Sequence, residues 1–94
     1  MLERDIENYL VARVKALGGE VRKVKWIGRR GAPDRIVMLP ARGGCRAPLT
    51  VWVELKAPGV PPEAHQVREH ERMRAAGQYV EVVDSFSRVD EVLA

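Results

Sequence analysis

With 94 residues, 46% of them hydrophobic and 31% charged, the chain is long enough for one modest core, and we expect a single domain spanning residues 1–94. No apolar run approaches the roughly 20 residues that cross a bilayer. The N-terminus lacks a basic-then-apolar export signal, and the single cysteine, Cys45, suits a reducing compartment, so we expect a cytoplasmic location. The net charge is only +3, which does not by itself define a partner.

The first half of the chain divides into a helix, two strands and a loop. Apolar side chains repeat at helical spacing over residues 2–17, and Gly18-Gly19 ends the pattern, which predicts a helix. Residues 20–27 are rich in β-branched and aromatic side chains and predict a strand. Residues 28–33 contain two glycines and a proline and predict a loop, after which residues 35–39 form a short apolar strand.

The second half predicts two further strands and two helices. Residues 40–48 form a connection, and residues 50–56 form a third, central strand. Pro61-Pro62 suits the start of a helix that runs to about Ala76. Residues 78–83 predict a fourth strand, and Ser87-Arg88-Val89-Asp90 resembles a capping box that opens a short last helix. The order αβββαβα predicts an α/β fold of the α+β type with a mixed sheet.

The third strand carries the most specific pattern in the chain. Successive side chains of a strand point to opposite faces, so Glu54 and Lys56 share one face. Val51, Val53 and Leu55 then point the other way, into the core. A carboxylate and an ammonium on one face are usually a solvated cross-strand pair, and this remains the alternative to a functional site.

Asp34 supplies a second carboxylate to the same region. It precedes the second strand, whereas Glu54 lies near the end of the third, and in an antiparallel pair these two positions adjoin. Two carboxylates held together repel unless a cation lies between them, and Mg²⁺ or Mn²⁺ prefers such oxygen ligands. Lys56 beside that ion would orient a water molecule or stabilise negative charge that develops on a phosphate.

Basic residues are concentrated around Asp34. Residues 22–46 contain eight of them and no other acid: Arg22, Lys23, Lys25, Arg29, Arg30, Arg35, Arg42 and Arg46. A segregated positive surface attracts polyanions, although a solvated basic face without a partner is the alternative.

Within this basic stretch, the glycine-flanked Arg29 and Arg30 are the best candidates for phosphate contacts, with Arg35 and Lys25 beside them. Trp26 either stacks on a base or packs in the core. His65 either touches substrate or lies on the surface; it and His70, five residues apart, do not form a paired metal site on one helical face.

The residues that carry a family resemblance extend over nearly the whole chain. They are Glu3, Gly31-Ala32-Pro33-Asp34-Arg35, Val53-Glu54-Leu55-Lys56, Gln66, and Gly77, Val80 and Val82 followed by Ser85. This combination resembles the restriction-endonuclease-like PD-(D/E)xK superfamily, and more closely its VRR-Nuc family in the stand-alone form found in phages and bacteria. The resemblance implies an αβββαβ core with a short C-terminal helix.

The same resemblance implies a metal-dependent DNA nuclease. Asp34, Glu54 and Lys56 would be its catalytic core, with the carbonyl of Leu55 as a further metal ligand and Gln66 supporting the site from the second helix. A first-helix acid would complete it. Glu3 matches the family position, and Glu7, one helical turn later, is the alternative, as is a merely solvated acid in either place.

The activity expected from these features is a Mg²⁺- or Mn²⁺-dependent endonuclease. By resemblance to junction resolvases, it would act as a homodimer on four-way (Holliday) junctions, since such a junction needs two symmetric cuts. A flap-type or structure-nonspecific nuclease is the near alternative. A non-catalytic DNA-binding module and a small protein-interaction domain are the alternatives from other classes.

Overall fold

Three helices pack on a four-stranded mixed sheet in a computed structural model that describes all of residues 1–94. The elements are α1 (Glu3–Ala16), β1 (Glu20–Lys23), β2 (Arg35–Leu39), β3 (Leu49–Leu55), α2 (Ala64–Ala75), β4 (Val80–Val83) and α3 (Phe86–Leu93). The predicted fold class and element order are confirmed. None of the helices has the length and apolar character needed to cross a membrane.

The strands are ordered β1-β2-β3-β4, so neighbours in sequence are neighbours in the sheet. The first three strands are antiparallel, with Arg35 paired to Val53 in β2 and β3. The last strand runs parallel to β3, pairing Leu55 with Val83, because α2 crosses over between them. This makes β3 a central strand, as the sequence predicts.

The main core lies between the sheet and the pair α1 and α3. On α1 the stripe Ile6, Leu10 and Val14 is fully buried, which fits a four-residue repeat on one helical face. Val53 is also fully buried and faces this layer. Each such side chain contributes roughly 1.5–3 kcal/mol on burial, so this layer holds the fold together.

The opposite face of the sheet is covered by α2 and is more polar. Met73 and Val80 are its buried apolar residues. Three polar side chains are buried there as well, namely Glu54, Glu69 and His70. Buried charge is costly unless it is paired, so this layer is where a function is expected to lie.

Strand β1 is shorter than predicted and ends at Lys23 rather than at Ile27. Beyond it, the backbone N–H of Val24 donates to the carbonyl of Asp34, and the indole N–H of Trp26 donates to the carbonyl of Pro33, at 2.9 and 2.8 Å. The first bond extends the β1–β2 register by one residue, to Val24 opposite Asp34, and the second holds the rest of the segment against the following loop.

Helix α2 begins at Ala64, so the prediction of a start at Pro61-Pro62 is wrong by about one turn. The reason is a cap centred on Glu63. The side-chain oxygen of Gln66 accepts a hydrogen bond of 2.8 Å from the backbone N–H of Glu63, which satisfies a donor that the helix leaves free.

Helix α3 is capped by Ser85 and not by the predicted Ser87 box. The hydroxyl of Ser85 accepts a hydrogen bond of 3.0 Å from the backbone N–H of Arg88. Asp90, predicted to close the box, instead accepts from the hydroxyl of Tyr9 at 2.8 Å and pairs with Arg13. Asp90 thus joins α3 to α1.

Candidate functional site

The sheet brings Asp34 and Glu54 to the same place. Since Arg35 pairs with Val53 in antiparallel register, the same register extended by one residue sets Asp34 opposite Glu54. Opposed residues share a face, which here is the face covered by α2. Asp34 is 61% exposed at the side chain, whereas Glu54 is buried, so one carboxylate faces solvent and the other lies beneath it.

Two side chains of α2 contact the buried carboxylate of Glu54. Gln66 Nε2 donates to Glu54 Oε2 at 3.5 Å, and His70 Nε2 lies 3.3 Å from Glu54 Oε1. Gln66 therefore lies where the sequence expects a supporting residue. His70 was not expected there, although its position four residues after Gln66, on the same helical face, was a usable signal.

The ionisation of Glu54 is strongly perturbed. Burial raises the pKa of Glu54 from an ordinary 4.5 to about 7; the positive charge of Lys56 opposes this rise, and the negative charges of Asp34 and Glu3 add to it. All three charges therefore act on Glu54. Two further acids near a buried carboxylate create a negative potential that a cation would relieve.

Lys56 leaves the sheet directly after β3, where its backbone N–H donates to the carbonyl of Val83 at 3.0 Å. Its side chain is half-buried and takes part in no ion pair. The ammonium therefore keeps its donors available, close enough to Glu54 to lower the pKa of that carboxyl. Leu55, between them, is the last residue of β3.

The two candidate acids of α1 differ in their partners. Glu7 accepts a hydrogen bond of 2.7 Å from Arg35 Nε, and Arg35 also pairs with Asp34 at 2.8 Å. Glu3 has no such partner, and its charge acts on Glu54. Glu3 is thus the first-helix acid that is free to act in the site, whereas Glu7 holds Arg35.

The loop before Asp34 is fixed to α2. Arg29 pairs at 3.1 Å with the buried Glu69, which also pairs with Arg72 at 2.8 Å. The hydrogen bond from Arg29, together with that from Arg72, lowers the pKa of Glu69. Gly31 lies so close to α2 that a Cβ there would be 2.8 Å from the carbonyl oxygen of His65. The loop is therefore set by helix contacts.

A basic groove leads to the exposed carboxylate. It encloses about 470 Å³ and is lined by Lys23, Val24, Lys25, Trp26, Arg29, Ala32 and Asp34. Trp26 is half-buried and packs on Trp52, with ring centroids 5.1 Å apart. Of the predicted phosphate contacts, Lys25 and Arg30 are exposed, and Arg35 is only 12% exposed at the side chain and bound to two acids.

The donor set fits a divalent ion of the magnesium type. No group of three histidine, cysteine or acidic side chains is placed to hold a metal by itself. Mg²⁺ does not require one, since it is held by one or two carboxylates and completes its shell with water and substrate phosphate oxygens. Asp34 and Glu54 supply those carboxylates; burial is the main cause of the raised pKa of Glu54, and the charge of Asp34 adds to it, so a cation beside the pair would favour the ionised form of Glu54. His65 does not belong to this donor set; it pairs with Glu63, the residue that caps the N-terminus of α2.

Comparison with known proteins extends the likeness to nearly the whole chain. No family model matches the sequence. Over 83 residues the chain is 45% identical to a protein named "Putative nuclease p44" from Acyrthosiphon pisum secondary endosymbiont phage 1, covering 88% of this chain and 83% of that protein. A solved structure described as "VRR_NUC domain" superposes with a TM-score of 0.81 and 44% identity, covering 97% of this chain and 92% of the other.

Proposed function

The chain belongs to the VRR-Nuc family, and from that premise we propose that it is a Mg²⁺- or Mn²⁺-dependent endonuclease that hydrolyses DNA phosphodiester bonds. The observation that carries the proposal is the buried carboxylate of Glu54, with its pKa raised to about 7, opposite Asp34. The repulsion between these two carboxylates destabilises the protein without a metal. A cation that binds between them would remove that repulsion, which is why this pair is a candidate metal site.

In this proposal Asp34, Glu54 and the carbonyl of Leu55 hold the ion. A divalent ion in that position supplies Lewis-acid polarisation of the phosphate and acidifies a water molecule. Asp34 is exposed to solvent and Glu54 is buried, so Asp34 would hold the ion from the side open to substrate and Glu54 from the protein interior. Gln66 holds one oxygen of Glu54 from α2.

Lys56 and Glu3 have the remaining roles. The unpaired ammonium of Lys56 orients the attacking water or stabilises negative charge on the phosphate as the transition state forms. Glu3 adds a third negative charge that acts on Glu54, and its carboxylate would accept hydrogen bonds from water molecules at the site. Its freedom from ion pairs, in contrast to Glu7, supports this assignment.

We assign the DNA backbone to the basic groove. Lys25 and Arg30 are exposed and form no ion pair, so they are the direct phosphate contacts. Arg29 lines the groove and is about half exposed, so it contributes to binding while it stays paired with Glu69. Arg35 contributes least to binding, because Glu7 and Asp34 occupy its guanidinium, and its charge instead offsets that of Asp34.

For the substrate, we propose a branched DNA, in particular a four-way junction cut by a homodimer. One protomer offers one site, and two symmetric cuts therefore need a two-fold assembly. A flap-type or structure-nonspecific nuclease is the second candidate. A DNA-binding module without catalysis is disfavoured, because burying a carboxylate opposite another acid has no value for binding a polyanion.

The test is cleavage of labelled four-way junction, flap, duplex and single-stranded DNA with Mg²⁺, Mn²⁺ or EDTA. Wild-type protein is expected to cut with either ion and to bind without cutting in EDTA. Asp34→Asn is expected to abolish cutting while retaining DNA binding, and Lys56→Ala to lower turnover about 10²- to 10³-fold.

The matched control is Glu91→Gln, an exposed acid on α3 that pairs only with Arg88. Its activity should equal that of the wild type. Unchanged cutting by Asp34→Asn would refute the site. Asymmetric or single cuts in the junction would favour a flap-type nuclease over a junction resolvase.

A further inference from the structure

His70 is a buried polar side chain in α2 that the proposed chemistry does not use. It is 1% exposed, and its Nε2 lies 3.3 Å from Glu54 Oε1. Histidine is usually partly exposed, and a fully buried one needs a hydrogen-bond partner. Here that partner is the carboxylate at the centre of the candidate site.

The direction of this hydrogen bond is fixed by the acceptor. When Glu54 is ionised, as a metal ligand must be, its oxygens can only accept. Nε2 of His70 must then carry a hydrogen, in the neutral ring or in the imidazolium alike. His70 therefore donates to the same carboxylate that the ion requires.

The two oxygens of Glu54 receive one donor each from a single helical face. Gln66 donates to Oε2 and His70 to Oε1, and the two residues lie one turn apart on α2. The cap at Glu63 also fixes Gln66 through its amide oxygen. Since each carboxylate oxygen can accept about two hydrogen bonds, one site on each oxygen is left for an ion or for solvent.

We infer that His70 is a positioning residue, which orients the Glu54 carboxylate through an Nε2–H donor so that its free lone pairs face Asp34. The inference rests on the proposed function, because it assigns His70 a role at the same site. Ligands are oriented by such outer hydrogen bonds, whose loss typically costs 10- to 100-fold in metal affinity or activity. The competing role for His70 is that of a filler between α2 and β3.

The experiment measures Mn²⁺ affinity by calorimetry, DNA cleavage (kcat and KM) and melting temperature for four variants. His70→Leu removes the donor. His70→Gln carries an amide N–H near the position of Nε2, and His70→Asn is one methylene too short to reach Glu54. Glu91→Gln is the control, an exposed acid on α3 that pairs only with Arg88.

His70→Leu and His70→Asn are expected to weaken Mn²⁺ binding and to lower kcat by about 10- to 100-fold, with KM for DNA little changed. His70→Gln should recover most of both, and Glu91→Gln should match the wild type. If His70→Leu fails to fold, the contrast between the Gln and Asn variants decides the question in its place.

Wild-type Mn²⁺ affinity in folded His70→Leu or His70→Asn would overturn the inference, as would equal losses in the Gln and Asn variants. Failure of the proposed function would give different results. The wild type would then neither bind Mn²⁺ nor cut DNA, and Asp34→Asn would change neither property.

Discussion

At the scale of the residue, the carboxylate of Glu54 ties function to stability. Burial raises the pKa of Glu54 to about 7, whereas an unfolded chain would have it near 4.5. The folded state thus binds this proton more tightly than the unfolded state. Its contribution to stability is therefore largest at low pH and is lost as the pH rises from about 4.5 to about 7. A cation bound above pH 7 would reverse that loss.

We expect Glu54→Gln to stabilise the apoprotein at pH 8, because the amide carries no charge that burial penalises. A pKa shift of this size corresponds to about 3 kcal/mol at most, and relaxation of the folded protein around the charge reduces the expected gain to about 1–2 kcal/mol. At pH 4.5 wild-type Glu54 is itself protonated, and the gain should be small. Urea denaturation in EDTA at both pH values measures it.

Glu91→Gln, an exposed acid paired with Arg88, serves as the control and should change stability little at either pH. An equal gain for Glu54→Gln at pH 4.5 and pH 8 would mean that the Glu54 carboxylate is not perturbed in the folded protein.

Side-chain alternation was enough to place Glu54 and Lys56 on one face and Val53 in the core, because strand geometry fixes orientation within a few residues. It could not supply the contact between Glu54 and His70. That contact joins residues on a strand and on the following helix, and it depends on the angle at which α2 crosses the sheet. Only the four-residue spacing from Gln66 hinted at it.

At the scale of the element, the loop of residues 28–33 is held in place by contacts with α2 rather than by contacts among its own residues. Arg29 pairs with Glu69, forty residues away, and Gly31 lies against the backbone of His65. The sequence predicts a loop, flexible at its glycines and fixed at Pro33, but partners this distant cannot be identified from local composition. The β2–β3 register sets Asp34 opposite Glu54, and the contacts with α2 fix the course of the loop that leads into Asp34.

Gly31→Ala should disrupt this arrangement. Gly31 has φ +86, which disfavours any side chain, and the new Cβ would lie 2.8 Å from the carbonyl of His65. We expect the loop to shift, a fall in melting temperature, and a loss of cleavage larger than the loss of DNA binding. Thermal melts and single-turnover cleavage measure both effects.

Gly28→Ala is the matched control for Gly31→Ala. It also has a positive φ, +72, and so costs about 1 kcal/mol in backbone strain, but no atom lies near its added Cβ. Gly28→Ala should therefore be destabilised less and should retain cleavage. Equal effects of the two substitutions would show that backbone strain, not contact with α2, governs the loop.

At the scale of the whole molecule, the sheet separates a structural face from a polar one. One face packs on α1 and α3 through the apolar core, while the other carries the acids and, toward β1, the basic groove. An acidic candidate site beside a basic groove suits a polyanionic substrate: the groove attracts the backbone, and a cation at the acids would offset their repulsion of the phosphate. The sequence predicts this separation, since basic residues crowd around a single acid.

DNA affinity should therefore depend on salt through the exposed cations of the groove and of the adjoining loop, Lys25 and Arg30. In EDTA, Lys25→Ala and Arg30→Ala should each weaken junction binding and reduce the slope of log K against log salt by about 0.9. Neither should lower the melting temperature, because neither side chain forms an ion pair. Arg29→Ala should differ, since it leaves the buried Glu69 with only Arg72 and should destabilise the fold as well. Fluorescence anisotropy across a salt series, paired with thermal melts, separates basic residues that only bind DNA from Arg29, which also stabilises the fold. A slope that Lys25→Ala and Arg30→Ala leave unchanged would remove the groove from the DNA path.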